Sequence, residues 1–256
     1  MSVYTEQQGR GPDLVLLHGW GMNGAVWQQL AERLEADFCL HIVDLPGFGH
    51  SKALPAGSTL AEWAGSVLAV VPERAAWLGW SLGGLVATQA ALQAPERVSA
   101  LITLASSPRF VSEDAWPGIK PEVLAGFEQQ LAEGHQQVIN RFLSLQAMGS
   151  EHARDDIRRL RDSLASRPAP DPQALAAGLG LLGEVDLRAQ LAQLTMPLLR
   201  LYGRLDGLVP HKAATLTDAL APASHRHIEP KASHAPFISH PEATADSIRG
   251  FLHKQG

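Results

Sequence analysis

The pattern Gly79-Trp80-Ser81-Leu82-Gly83 sets a serine hydroxyl among glycines, directly after the apolar run "AAWLGW" and before the helical text "LGGLVATQAALQ". A serine at a tight strand-to-helix turn is held in strained backbone geometry, and the residues two before and two after it pass so close that side chains would collide. Gly84 extends that clearance. The turn also leaves the backbone N–H of Leu82 at a helix start, without an intrahelical acceptor and pointing where negative charge can develop. The chemistry implied is attack by the Ser81 hydroxyl on a carbonyl carbon. Glycines and serines meet often at strand ends, so the strand and helix on either side are what lift the motif above composition.

A hydroxyl is a poor nucleophile at neutral pH and needs a general base held by a third group. In the chain order nucleophile, acid, histidine, the acid falls on Asp206 in "LYGRLDGLVP" and the base on His234 in "PKASHAPF". Both lie in loops after strand-like runs, where an α/β sheet gathers its sites. The other histidines compete less well: His18 precedes the nucleophile, His225 and His227 occupy a strand-like run, and His240 stands at a helix start. Asp186 and Asp218, in helical surroundings, are fallback acids, while Asp44 has the wrong order and reads as a loop-shaping or ion-pairing residue. The "HGWGMNG" loop, His18 to Gly24, lets main chain approach Ser81, so the N–H of Trp20 can join that of Leu82 around an oxyanion. Neither phosphate-loop glycine pattern occurs in the required context, and the histidines lack spacing such as H-E-x-x-H. No catalytic metal is therefore expected.

The elements that must position these groups alternate between short apolar β-rich runs and helical patterns. "DLVLLHGWG" (Asp13 to Gly21) reads as a strand entering a loop, "GAVWQQLAERL" as a helix capped by Asn23, and "CLHIVDLPGFGHS" as a strand breaking into a Pro/Gly loop. "TLAEWAGSVLAVV" is helical and "VSALITLASSP" is another strand. Their near-continuous apolar character predicts a parallel sheet covered by helices on both faces. After Pro108 the rhythm changes: residues 110–193 read as helical and polar throughout. The α/β pattern resumes at "MPLLRLYG", with a helix around Lys212 to Leu220, a strand in "SHRHIEP" and a last helix from Pro241 to His253. A core of 1–109 and 194–256 carrying an inserted helical cap of 110–193 follows, because unstructured loops beyond about 12–15 residues are uncommon.

With 256 residues, 45% hydrophobic, the chain can bury one sizeable core. Its single cysteine, Cys39, lies in an apolar run, which excludes an internal disulfide and reads as a buried thiol. The first residues lack a basic segment followed by an apolar one, and no run approaches the roughly 18 apolar residues of a membrane span. A cytoplasmic monomer without a membrane role is expected. A net charge of −5 and a pI near 6.1 disfavour nucleic acid as partner.

Taken together, "LVLLHGWGMNGAVW", "HIVDLPGFGHS", "WLGWSLGGLVA", "WPGIKPEVLAGF", "FLSLQAMG", "RLYGRLDGLVP" and "KASHAPFISHP" resemble the bacterial pimeloyl-[acyl-carrier protein] methyl ester esterases of biotin synthesis, members of the α/β-hydrolase fold. The likeness spans essentially the whole chain. It implies a mostly parallel central sheet flanked by helices, a Ser81–Asp206–His234 triad, an oxyanion hole from Trp20 and Leu82, and no cofactor. It also implies hydrolysis of the methyl ester once the pimeloyl chain is complete. The expected substrate contacts are Trp20, Trp80, Ser81, Leu82, Phe142 and His234, although each aromatic reads equally as core packing.

The resemblance further implies an acidic acyl-carrier protein gripped by cap arginines, at Arg141, Arg154 and Arg158. A further basic position of the family falls on Gln137, which shifts that contact to Arg159 or Arg161 or loses it. Read from spacing alone, Arg154, Arg158 and Arg161 share a helix face with Asp155, Asp156 and Asp162 partly off it, which a solvated mixed-charge helix would also show. The sequence leaves open a broad short-chain carboxylesterase, a C–C bond hydrolase, a proline iminopeptidase, and a catalytically silent binding protein of the same fold.

Overall fold

The computed structural model describes residues 3–255. Seven strands form one sheet: β1 (Thr5–Gly9), β2 (Asp13–Leu17), β3 (Cys39–Val43), β4 (Ala75–Trp80), β5 (Val98–Leu104), β6 (Leu198–Gly203) and β7 (His225–Glu229). Their spatial order is β1-β3-β2-β4-β5-β6-β7. β1 pairs antiparallel with β3, and every other neighbouring pair is parallel. β2, β3 and β4 are buried almost throughout, as their apolar runs require when helices cover both faces.

Strand order reverses around β2. After β2 the chain adds β3 on one side, then crosses back to lay β4 on the other, so the loops leaving β2 and β4 diverge and open a crevice at their carboxyl ends. That crevice is where His18–Gly24 and Ser81 lie. Helices α1 (Gln28–Leu34), α2 (Leu60–Leu68) and α3 (Leu82–Gln93) link the first strands. Asn23 caps as expected, accepting the Ala25 N–H at 3.0 Å, but the first turn, Gly24–Trp27, is 3₁₀ before α1 begins. Thr59 and Glu62 form a capping box at the start of α2.

β1 is absent from the sequence reading. "TEQQG" carries no apolar alternation because an edge strand need bury little, and polar side chains there discourage pairing with another chain. The sheet is therefore mixed at one edge.

Between β5 and β6 run α4 (Pro121–Glu133), α5 (His135–Gln146), α6 (Ala153–Ala165) and α7 (Pro172–Glu184). The chain enters and leaves this helical stretch at one place: Arg109 and Asp186 form an antiparallel bridge, and the Leu187 N–H donates to the Pro108 carbonyl at 2.8 Å. Beyond β6 come α8 (His211–Leu220), a single turn α9 (Pro236–Ser239) and α10 (Pro241–Leu252). Among the described residues, no helix is long and apolar enough to cross a membrane.

One buried ion pair fastens the helical stretch to the sheet. Asp44, fully buried after β3, accepts the Gly24 N–H at 2.6 Å and the His50 N–H at 2.8 Å. Arg167, just past α6, meets Asp44 at 2.9 Å and Glu6 of β1 at 2.5 Å, with its own side chain only 8% exposed. Asp44 thus shapes the loop and pairs with a cation, the two tasks its chain position allowed. Removing one member of a buried pair leaves the other charge uncompensated. Asp44→Ala is expected to cost about 3–5 kcal/mol of stability, read as a lower urea midpoint with little change in slope.

Candidate active site

Ser81 stands between β4 and α3 at φ 55° and ψ −118°, one of two non-glycine residues at positive φ among those described. Such a conformation costs about 1–3 kcal/mol and persists only where its surroundings fix it. Here the Ser81 N–H donates to the Leu104 carbonyl at 2.9 Å, while its carbonyl accepts the Gly84 N–H at 2.9 Å and the Ser106 hydroxyl at 2.8 Å. The flanking glycines are steric necessities. A Cβ on Gly79 would lie 2.2 Å from the Gly83 carbonyl oxygen, and one on Gly83 would lie 2.4 Å from that of Leu17.

The imidazole of His234, in the loop between β7 and α9, reaches Ser81 from the far side of the sheet. Its Nε2 is 3.0 Å from Ser81 Oγ and its Nδ1 is 2.8 Å from Asp206 Oδ2. With Nδ1–H donated to the carboxylate, Nε2 presents its lone pair to the serine hydroxyl. Asp206 is itself fixed, its Oδ1 accepting the N–H groups of Leu208 at 2.8 Å and Val209 at 2.9 Å. All three side chains are buried, Ser81 at 2% and His234 at 0% exposure, so each hydrogen bond acts in a low dielectric. The fallback acids lie elsewhere: Asp186 binds Arg188, and Asp218 binds Arg200 and Arg226.

The loop after β2 closes on the nucleophile. A Cβ on Gly19 would lie 3.2 Å from that of Ser81. Among the described residues, the backbone N–H groups of Trp20 and Leu82 find no acceptor within the protein. His18 props this loop: its Nδ1 bonds the Gly19 carbonyl at 2.8 Å and its Nε2 accepts the Leu45 N–H at 2.9 Å. That acceptor role needs a neutral ring, and burial drops the His18 pKa to about 4 despite the opposing pull of Asp44.

The aromatic candidates divide. Trp20 and Phe142 pack edge to face at 4.8 Å, and the Trp20 indole donates to the Leu175 carbonyl of α7 at 2.8 Å. Trp80, anticipated as a wall for substrate, lies fully buried with its indole N–H donated to the His234 carbonyl at 2.8 Å and its ring against Phe237. Its visible contacts hold the histidine.

Two supports were not legible in the sequence. Ser106 braces the Ser81 carbonyl, and the Gln146 carbonyl at the end of α5 accepts both the His234 N–H, at 3.1 Å, and the Ser233 hydroxyl, at 2.8 Å. A small polar residue just past β5 gave a faint signal for Ser106. A main-chain acceptor gives none.

The arginines lie on the helices above. Arg141 of α5 is exposed, 5.1 Å over the Phe127 ring. Arg154 and Arg158 are exposed on α6, as Gln137 is on α5. The acidic residues of α6, read as lying partly off the arginine face, divide: Asp155 pairs with Arg158 at 3.2 Å, and Asp156 is buried, accepting the Ser150 hydroxyl at 2.6 Å. Arg159 donates to the Ile238 carbonyl at 3.2 Å, so it is engaged with the core.

A sheet with a reversed strand order, a serine on a strained turn and a buried His–Asp pair beside it define a serine hydrolase. The sequence profile described as "alpha/beta hydrolase fold" matches residues 12–241. The chain is 58% identical over 253 residues to the pimeloyl-[acyl-carrier protein] methyl ester esterase of Aeromonas salmonicida, covering 98% of this chain and all of that one. It is 55% identical over 252 residues to the protein of the same description from Vibrio vulnificus, with 98% of each covered. Among solved structures, an esterase from Exiguobacterium antarcticum superposes with a TM-score of 0.88 at 22% identity, over 98% of this chain and 95% of that one, a likeness of fold. The chain belongs to the α/β-hydrolase fold family and, within it, to the pimeloyl-[acyl-carrier protein] methyl ester esterases.

Two outcomes follow from this geometry. His18 has its pKa lowered from 6.5 to about 4, so the unfolded chain binds the extra proton first as pH falls. Stability is full above pH 6.5, declines toward pH 4 and then levels, by on the order of 3 kcal/mol in all. Unfolding midpoints of wild type and His18→Asn across that range should differ in slope between these limits. Trp80→Phe keeps the ring and removes the donor to His234, so kcat should fall about tenfold with KM for a small ester nearly unchanged, since about 1.4 kcal/mol of positioning is at stake.

Proposed function

We propose that this protein hydrolyses the methyl ester of a pimeloyl chain borne on an acyl-carrier protein, releasing methanol and the free acid for biotin synthesis. The observation that carries the reading is the unbroken chain from Asp206 through His234 to Ser81, next to two unspent backbone N–H groups. Identity of 58% to an esterase so described gives the substrate.

In the first step His234 Nε2 takes the Ser81 proton as Oγ attacks the ester carbonyl. The resulting oxyanion accepts hydrogen bonds from the Trp20 and Leu82 N–H groups, and Asp206 stabilises the imidazolium. Collapse expels methoxide, which takes the proton from His234 and leaves as methanol. Water, deprotonated by the same nitrogen, then attacks the acyl-enzyme and frees the carboxylate. No further group is required.

Residues 110–193 form a cap over the site in this reading, supported by the shared entry and exit at Arg109 and Asp186. Trp20 and Phe142 line the path of the apolar chain, with Leu82, Ser81 and His234 at its reacting end and Trp80 behind His234. Because Ser81 is 2% exposed, the chain reaches it by parting the cap from the loop after β2. Arg141, Arg154 and Arg158 offer a local positive surface to an acidic carrier, which a protein of net charge −5 would otherwise repel.

Kinetics on carrier-bound and free methyl esters test both parts. Ser81→Ala should abolish turnover of both with circular dichroism unchanged. Arg154→Glu with Arg158→Glu should lower kcat/KM for the carrier-bound ester at least tenfold and leave the free ester unaffected. An equal loss on both substrates would point instead to a broad short-chain carboxylesterase.

A further inference from the structure

We propose that Asp13, Cys39 and His41, with Gln7 beside them, form a binding site for one Zn²⁺ ion at the amino-terminal end of the sheet, apart from the catalytic centre. Strand register creates the cluster. Asp13 and Cys39 are partners across the parallel β2–β3 pair. His41 lies two residues beyond Cys39, on the same face of β3, and Gln7 of β1 is its antiparallel partner. Three strands therefore aim one carboxylate, one thiol, one imidazole and one amide at a common point.

The geometry favours an ion over a proton relay. His41 presents the same nitrogen, Nε2, to Asp13 Oδ1 at 2.6 Å and to Cys39 Sγ at 3.6 Å. A Cys-His-Asp relay needs the two ring nitrogens on different partners, as His234 uses its own between Ser81 and Asp206. One nitrogen shared by a thiol and a carboxylate is instead what convergence on a single centre looks like. All three donor atoms lie within 4.8 Å of one another. A tetrahedral zinc with bonds of about 2.3 Å to sulfur and about 2.05 Å to nitrogen separates those two atoms by about 3.6 Å, which is the distance found.

The carboxylate has to open. Nitrogen and oxygen on one tetrahedral zinc stand about 3.3 Å apart, so Asp13 must withdraw by roughly 0.7 Å. Its side chain is 38% exposed, which leaves it that freedom and gives an ion a route in, whereas His41 at 10% and Cys39 at 8% are fixed by the sheet. Gln7 Nε2 lies 2.9 Å from Cys39 Sγ, and with the amide turned over its oxygen becomes a fourth ligand once it, like Asp13, draws back by roughly 0.6 Å. A thiolate with one imidazole and one carboxylate is a donor set suited to zinc and poorly suited to magnesium or calcium.

The site cannot take part in ester cleavage. Asp13 opens β2 and the loop to Trp20 leaves its other end, so roughly 13 Å of strand separates them. Its effect is structural: an ion held there ties edge strand β1 to β3 and β2.

Cobalt(II) substituted for zinc reads the ligands directly. Full-length protein stripped with a chelator and titrated with Co²⁺ should develop a thiolate-to-cobalt charge-transfer band and tetrahedral visible bands, saturating at one equivalent. Ser81→Ala should titrate identically. Cys39→Ser should lose the charge-transfer band, and His41→Ala and Asp13→Asn should each weaken binding at least tenfold. Excess Zn²⁺ should raise the thermal midpoint of wild type by several degrees and that of Cys39→Ser not at all. Absence of a charge-transfer band, unchanged Co²⁺ affinity in His41→Ala, or equal stabilisation of Cys39→Ser by Zn²⁺ overturns the proposal.

Discussion

The structure turns on the backbone of Ser81. A non-glycine residue at φ 55° and ψ −118° relaxes unless main chain on every side forbids it. The carbonyls of Leu17 and His18 press on Gly83, that of Gly83 on Gly79, and Ser106 on Gly84. These contacts require β2, β4 and β5 to lie side by side and to end at the same level, which is the strand order observed. The reversal of strand order around β2 then frees two loop ends beside the serine, where the base and the oxyanion donors must come. One strained residue thus constrains three strands and the position of the loop that answers it.

The histidine is held as firmly by different means. Its ring is fixed by Asp206, and its backbone by a carbonyl from α5 on one side and an indole from β4 on the other. The tryptophans differ in how their indole nitrogens are used. Trp20 and Trp80, next to the site, both donate to carbonyls. Trp27, Trp63 and Trp77 are equally buried, yet their indole nitrogens have no acceptor. An unmet donor costs about 1–3 kcal/mol, which the large apolar area of an indole offsets in plain packing. Trp116 likewise donates, to the Arg109 carbonyl at 2.8 Å, where it fixes the chain at the entry to the helical stretch.

What the sequence revealed follows from which physical signals are local. The nucleophile turn, the apolar strands and the break after Pro108 are patterns of neighbouring residues. Asp206 and His234 were found because chain order is itself constrained, and the Asn23 cap because its partner is two residues away. The misses are non-local. β1 has no apolar pattern of its own and exists only through its pairing with β3. Gln146 acts through a carbonyl, which every residue has. The acceptor of the Trp80 indole, 154 residues away, leaves no local sign in the sequence. Asp156 reads from spacing only as lying partly off the arginine face of α6, and its burial against Ser150 depends on the tertiary packing.

The two ion pairs of α6 and its exit show how the same chemistry serves opposite ends. Arg167 and Asp44 meet with side chains 8% and 0% exposed, where separation would strand a charge away from water. That pair cannot be exchanged for a passing partner. Arg158 and Asp155 meet three residues apart with side chains 68% and 58% exposed, and such a pair is worth at most about 1 kcal/mol. An incoming carboxylate competes for Arg158 on nearly equal terms. Under the proposed docking role, so loose a pair leaves Arg158 available to the carboxylates of the carrier. The anchor of that helix, in turn, has to be the buried pair.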